Sequence, residues 1–472
     1  MKRTVEREVK LGADPAFELP ELGGERLDPR VFVSTYYDTP THRLAPHGVT
    51  LRYRVENGKG LWQLKLPRGA ARLELELEGG PAHVPDELRK LLTAYLRGSD
   101  PVPVARLRTR RESIRVDGAE VVHDSVDVLE NQRVERHFDE LEVELLEGDE
   151  NVLRRLERAL RQAGAGAPES RPKLHQALDL EYRPDDELPP RNASAAEVLA
   201  AQLRIQLARL LAHDPGARTG DDPEDVHQMR VATRRLRAFV RGAPGLVDPE
   251  WAERVLAGAK VVGDALGDVR DLDVLLDRIR ADLAGLEPAE RRHARPLLRT
   301  LQRGRATARR RLLRTLDDPA YLELLDTLET GPPQHDPAED DPTLPQLWRR
   351  RARRLEKAMR PLGPDSADED LHGARLKVKR ARYAGELAGS SLGRDGKRFV
   401  ERAKELQDVL GEHQDAAVAE ERLRALAATA PPEAAFVAGR LVERERERRR
   451  VARGEWPDAW KRLRKAAAAA GA

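Results

Sequence analysis

Val5-Glu6-Arg7-Glu8-Val9-Lys10-Leu11 is the stretch whose reading decides the first half of this chain. Taken as a strand, it places alternate side chains on opposite faces, with like-facing neighbours about 6.6 Å apart. Glu6, Glu8 and Lys10 then share one face, while Val5, Val9 and Leu11 sit on the other with Arg7. Two carboxylates beside an ammonium suit a hard divalent cation carrying a polyanion. A solvated edge-strand face fits the same seven residues, and a motif this short does not separate the two. Recurrence in later strands favours the first.

That recurrence is visible. Arg52 and Arg54 alternate with Leu51, Tyr53 and Val55, and Asn57-Gly58 follows as a hairpin signal. Gln63 and Lys65 alternate with Trp62, Leu64 and Leu66; Arg72, Glu74, Glu76 and Glu78 alternate with Leu73, Leu75 and Leu77. Arg106, Arg108 and Arg110 flank Leu107 and Thr109, a second hairpin is signalled at Asp117-Gly118, and Glu140, Glu142 and Glu144 flank Leu141 and Val143. Two helical patterns intervene, Asp86–Leu96 and Glu150–Ala163. The polar faces carry almost only Arg, Lys and Glu. Such charges cannot be packed dry without pairing or binding ions. They face either bulk water or a wet tunnel that takes a charged ligand.

These residues resemble the CYTH domains, the triphosphate tunnel metalloenzymes. Glu6-x-Glu8-x-Lys10 is similar to their ExExK signature. Tyr37-Asp38-Thr39-Pro40, Leu51-Arg52-x-Arg54, Trp62-x-Leu64-Lys65, Arg72-x-Glu74-x-Glu76, Arg108, Asp124, Glu140-x-Glu142-x-Glu144 and Lys173 follow in order. The resemblance covers residues 1–183. It implies a closed antiparallel β tunnel in which Glu6, Glu8, Glu142 and Glu144 hold Mg²⁺ or Mn²⁺. Lys10, Arg52, Arg54, Lys65, Arg108 and Lys173 would cradle a triphosphate. Hydrolysis develops charge on the leaving oxygens, which preorganised cations stabilise; Lys10, Lys65 and Lys173 are expected in that role. Glu74 and Glu76 are candidates to take the proton of the attacking water, or else partners of the tunnel arginines.

Composition bounds the rest. The chain has 472 residues, 35% of them charged and 4% aromatic, with a net charge of +2. Residues 1–190 hold 30 Lys/Arg against 36 Asp/Glu, a net −6, and the remainder is net +8, so an anionic partner is expected for the second half. There is no cysteine, which excludes disulfides and thiolate sites. No apolar run approaches the roughly 18 residues of a membrane span, and no apolar signal segment leads the chain, so a cytoplasmic protein without membrane partners is expected.

The Pro-rich stretch Pro184–Asn192, within a linker at 184–194, reads as a joint between domains. Beyond it everything reads as helix, opening with a capping box from Ser194 to Glu197. Gly331–Pro345 divides this half, and the two parts are copies, about 195–330 and 345–450. Val226-His227-x-x-Arg230-x-x-x-Arg234-Arg235-x-Arg237 lines up with Leu371-His372-x-x-Arg375-x-x-x-Lys379-Arg380-x-Arg382, an offset of 145. Leu266-Gly267 and Asp271 line up with Leu410-Gly411 and Asp415 at 144. Helical spacing puts His227, Arg230, Arg234 and Arg237 in one stripe, and His372, Arg375, Lys379 and Arg382 in another. A solvated face balanced by nearby acids is the plain alternative. The pattern resembles the CHAD family of histidine-containing helical domains. It implies two duplicated four-helix bundles, in an α+β multidomain chain, whose basic stripes bind inorganic polyphosphate rather than a specific nucleic-acid sequence. The expected function is therefore metal-dependent hydrolysis of inorganic triphosphate or short polyphosphate, with longer chains held by the helical half. A non-catalytic polyphosphate tether, or a tunnel enzyme converting nucleoside triphosphates, including adenylate cyclisation, are the alternatives.

Overall fold

A computed structural model describes residues 2–69, 71–169, 171–181, 189, 193–333 and 342–472. The chain divides into two compact units, residues 1–185 and 186–472. Of the joint read at Pro184–Asn192, only Pro189 lies among the described residues.

Alternation and turn chemistry build the first unit. Its described strands are β1 (Lys2–Glu6), β2 (Glu8–Ala13), β3 (Glu25–Asp38), β4 (Thr50–Glu56), β5 (Lys59–Arg68), β6 (Ala71–Glu78), β7 (Val102–Val116), β8 (Ala119–Glu130) and β9 (Arg133–Leu145). They form one antiparallel sheet in the order β1-β6-β5-β4-β3-β7-β8-β9-β2. Asn57-Gly58 and Asp117-Gly118 turn with φ of 49° and 74°, and 52° and 79°, the left-handed pairs that a two-residue hairpin requires. Asn131 and Gln132 make the same turn at 47° and 67°, without the glycine that would have signalled it.

The opening stretch is not one strand. The ladder breaks at Arg7: β1 pairs with β6 and β2 with β9. These are the two edges of the sheet, so the chain joins them at Arg7 and curls the sheet around its inner face. The Arg7 carbonyl accepts from Leu145 N at 2.9 Å. Apolar residues cover the outer face. Leu153, Leu156 and Leu160 of helix α3 (Glu150–Gln162) pack on Leu11, Val121 and Leu141. Helices α1 (Asp86–Leu91) and α2 (Thr93–Leu96) occupy the first predicted helical stretch, and α4 (Lys173–Leu178) delivers Lys173.

The second unit is helical among its described residues. Its first part holds α5 (Ala195–Thr219), α6 (Pro223–Gly242), α7 (Pro249–Ala284), α8 (Pro288–His293), α9 (Arg295–Leu316) and α10 (Pro319–Thr330). The second part holds α11 (Leu344–Met359), α12 (Asp368–Leu387), α13 (Gly389–Ala427) and α14 (Pro432–Ala469). Helix α5 opens on the expected capping box, with Glu197 N on Ser194 Oγ at 3.2 Å and Ser194 N on Glu197 Oε2 at 2.7 Å. Helices α6 and α12 begin and end 145 residues apart. The two parts share a core in which Leu276 and Ile279 of α7 meet Leu423 of α13 and Leu441 of α14.

Candidate functional site

The inner face of the sheet encloses a polar cavity of about 260 Å³. Glu6, Glu8, Glu142 and Glu144 line it from β1, β2 and β9, facing Lys65, Arg52 and Arg54 of β4 and β5. Pairing explains the convergence: Glu8 is opposite Glu144, Lys10 opposite Glu142, and Lys65 opposite Glu74. The charges therefore face a wet interior rather than bulk water.

One part of the cavity wall and the layer behind it form a dense ion network; the other part, around Glu6 and Glu144, is acidic. Lys10 Nζ lies 2.7 Å from Glu142 and 3.2 Å from Glu140. Lys173 Nζ sits 2.8 Å from each of these and 3.0 Å from Asp124. Arg111 donates twice to Asp124, at 2.7 and 2.6 Å, and reaches Glu142 at 3.3 Å. Burial alone would push the Glu142 carboxyl up, yet Lys10, Lys173 and Arg111 hold it well below the usual carboxylate range. Burial likewise works against the Lys10 ammonium, but Glu140, Glu142 and Glu8 raise its pKa.

In the acidic part Lys65 Nζ binds Glu6 at 2.6 Å. Glu74 is pushed up to about 7 by burial and by its hydrogen bond to Glu6, while, against burial, that bond and Lys65 hold Glu6 below its usual range. Burial and the neighbouring Glu6 push Glu144 up to about 7, against Lys65, and Glu142 and Glu8 add to the rise. Glu144 has no ion pair among the described residues. A cation there would relieve the repulsion, and oxygen donors suit Mg²⁺ or Mn²⁺, with water completing the shell. Among the described residues no three such side chains are drawn around a single point; Lys10 and Lys65 neutralise the carboxylates instead. The donor chemistry fits a hydrated divalent ion.

Most of the expected side chains meet here; Arg108 does not. Odd residues of β7 face inward, so Arg108 points outward and pairs with Asp127 at 2.6 Å, 51% exposed. Arg111, an odd number of residues away, takes the inward place. Glu76 lines the cavity, accepting from Gln63 at 2.9 Å and Lys2 at 3.3 Å. Glu140 and Asp124, landmarks of the resemblance, are both fully buried and belong to the ion network. Asp38 proves structural: its carboxylate accepts from the backbone N of Thr39, Leu44 and Ala45 at 2.7–2.9 Å.

The second unit holds a groove of about 380 Å³ between its two copies. Equivalent residues face one another across it: Arg230 with Arg375, Arg234 with Lys379, Asp271 with Asp415, Arg278 with Arg422. Arg230 reaches Asp271 at 3.1 Å, and Arg375 reaches Asp415 at 3.8 Å. Gly267 makes this possible, because a Cβ there would lie 2.1 Å from Arg230 Nη1. Arg234 Nε donates to Tyr383 Oη at 2.7 Å, one copy anchoring the other. Arg270 and Arg422 line the groove without an ion pair among the described residues, and neither belongs to the stripes read from sequence. Arg278 is already bound by Glu412 at 2.6 Å and Glu445 at 2.5 Å.

Three stripe members lie off the groove. Ten residues of helix turn about 1000°, some 80° short of three full turns, so Arg237 and Arg382 drift from the face of His227 and His372. Arg382 is 8% exposed and pairs with Glu386 at 2.9 Å. His372 Nδ1 is 2.8 Å from Gln414 Oε1, and Gln414 takes the lining position. His227 does line the groove.

Positive charge is in excess here. Burial, then Arg375 and Arg234, push the Lys379 ammonium down from 10.5 to about 7, outweighing Asp415. Burial and Arg270 lower His227. Between pH 7 and 10.5 the unfolded chain therefore binds more protons at Lys379 than the folded one, and stability rises with pH across that window. Melting temperatures at low salt should climb from pH 7 to 10 more steeply in wild type than in Lys379→Met; parallel curves would contradict it.

The CYTH domain family matches residues 2–170 and the CHAD domain family residues 201–424. An uncharacterized protein of Mycobacterium tuberculosis is 31% identical over 92% of this chain and 90% of its own length. Among solved structures, the CHAD domain from the plant Ricinus communis is 24% identical, covering 61% of this chain and 96% of that one, with a TM-score of 0.48. A Hippeastrum protein, for which a dominant triphosphatase activity is described, is 19% identical over 38% of this chain and 97% of that one, with a TM-score of 0.25. The chain therefore belongs to the proteins that join a CYTH domain, of a tunnel-enzyme family with triphosphatase and cyclase members, to a CHAD domain.

Proposed function

We propose that the first unit hydrolyses inorganic triphosphate or a short polyphosphate with Mg²⁺ or Mn²⁺, while the groove of the second unit holds longer phosphate chains. One observation carries this reading: a single cavity sets Lys10, Lys65, Lys173, Arg52 and Arg111 against the carboxylates Glu6, Glu8, Glu142 and Glu144. The aromatic ring on its lining is Tyr36, already hydrogen-bonded by Arg52 at 3.2 Å, so little is offered to a base. That favours an inorganic chain over a nucleoside triphosphate.

Glu6, Glu8, Glu142 and Glu144 would hold the ion, which when bound would supply positive charge that draws electron density from the phosphorus. Lys10, Lys173 and Arg111 orient the chain and meet the charge that grows on the leaving oxygen. A water oxygen bonds to the terminal phosphorus, the bridging P–O bond breaks, and a carboxylate receives the water proton. Glu74 and Glu76 are the candidates for that last role. The internal pairing of Lys10, Lys173 and Glu142 equally favours a second reading, in which the tunnel binds without turning over.

Phosphate release should be compared on inorganic triphosphate, ATP, thiamine triphosphate and long-chain polyphosphate. Inorganic triphosphate should be turned over fastest, with activity abolished by chelator and restored by Mg²⁺ or Mn²⁺. Tight binding without metal-dependent release from any of them would leave the tether as the function.

A further inference from the structure

Helix α9 carries a surface that neither cavity explains. Its 22 residues include eight arginines and no aspartate or glutamate. Helix α14 shows the ordinary treatment of such charge: Arg446 pairs with Glu420 at 2.9 Å, Arg448 with Asp282 at 2.5 Å, and Arg449 with Asp368 at 3.3 Å. On α9 three arginines are engaged. Arg305 binds Asp273, Arg311 binds Asp268, and Arg309 caps the carbonyls of Ala217, Arg218 and Thr219. Arg295, Arg299, Arg303 and Arg314 have no partner among the described residues, and Arg310 donates to Thr307 of its own helix at 2.9 Å. All five are exposed.

Geometry aligns them. Leu297, Leu301, Leu312 and Leu316 are buried and define the inner face of α9. At about 100° per residue, Arg299, Arg303, Arg310 and Arg314 fall within about 30° of the opposite direction, and Arg295 about 70° from it. The row from Arg295 to Arg314 is about 28 Å long at about 1.5 Å per residue. It starts beside an open depression bounded by Arg280, Arg291, Arg292 and Arg295. Arginines four apart on one helix face repel and destabilise it. Among the described residues no carboxylate pairs with Arg295, Arg299, Arg303, Arg310 or Arg314 to relieve them.

The chemistry of the row narrows its ligand. Residues 295–316 contain no aromatic side chain, so nothing stacks on the bases of a single strand. The outward positions carry no large apolar group to enter a bilayer. A straight convex ridge meets the winding phosphates of a rigid duplex at few points. A flexible, base-free phosphate chain can follow it, with guanidinium groups gripping phosphate oxygens in pairs.

We infer that the outer face of α9, continued by Arg291 and Arg292, is a second track for long inorganic polyphosphate. The identity of the ligand rests on the reading of the helical unit as a polyphosphate holder; the track itself is a different surface. The test uses the full chain in four forms: wild type, Arg299→Ala/Arg303→Ala/Arg310→Ala, the groove variant Arg234→Glu/Lys379→Glu, and the two combined. Binding of polyphosphate of about 100 units is measured across a salt series, with the triple Arg→Lys variant as a rescue. The alanine variant should bind about 10-fold more weakly, with a log K against log salt slope smaller by about 2, and lose a further factor of about 10 when added to the groove variant. Lysine should restore the salt slope and part of the affinity, the paired guanidinium contacts being lost. Unchanged affinity and slope in the alanine variant would overturn the track, as would an effect confined to duplex DNA or anionic vesicles. Loss from the α9 variant with none from the groove variant would instead sink the groove and leave the track standing.

Discussion

Replacing Glu142 by alanine should lower metal-dependent phosphate release from inorganic triphosphate by at least about 100-fold. No other cavity carboxylate is so embedded: Lys10, Lys173 and Arg111 converge on it at 2.7, 2.8 and 3.3 Å. On the proposed reading its removal takes away a donor to the ion and the charge that aligns three cations expected to face the phosphates. Stability also suffers, by about 3 kcal/mol, as for other broken buried pairs. Glu140 and Asp124 still share Lys10, Lys173 and Arg111, which limits the damage. Activity loss through unfolding must therefore be separated from activity loss through chemistry. Glu8→Gln makes the separation. Glu8 meets Lys10 at 3.8 Å and Arg72 at 3.9 Å, contacts too long to hold the fold. That variant should melt within a few degrees of wild type yet turn over at least about 10-fold more slowly. Full activity in both variants would remove hydrolysis from the tunnel.

The second large effect belongs to the groove. Arg234→Glu with Lys379→Glu should weaken binding of long polyphosphate by about 100-fold at low salt and flatten its salt dependence by about 3 units of slope. The same two changes should leave the melting temperature of the free protein close to that of wild type, because relief of the repulsion that, after burial, drives the Lys379 ammonium down to about 7 offsets the lost Arg234–Tyr383 hydrogen bond. A purely structural role would give the opposite pair of results: intact binding and a lower melting temperature. Isothermal titration alongside thermal melts decides between them. In wild type, affinity should also fall as pH rises through 7, since Lys379 sheds its proton there unless an anion holds it.

Local chemistry made much of this legible. The period-2 faces of β4, β5, β6 and β9 place Arg52, Lys65, Glu74 and Glu142 together on one side of their strands. Asn57-Gly58 and Asp117-Gly118 announce their turns, and the offset of 144–145 residues between His227 and His372 or Gly267 and Gly411 reveals a duplication without any coordinates. Each of these depends on residues close in the chain, where backbone geometry alone dictates which side chains are neighbours.

Tertiary structure decided the remainder. Periodicity says which residues share a face, not which face turns inward, so Arg108 and Arg111 could not be told apart until β7 was seated between β3 and β8. The break at Arg7 exists because two distant strands, β6 and β9, claim the two halves of one segment. Arg270 and Arg422 enter the groove because α7 and α13 of the two copies both line it, and Arg382 leaves it because ten residues of helix fall about 80° short of three full turns from His372. Sequence determined the inventory of charges and their local order; long-range pairing, which carries no local signal, determined which of them meet.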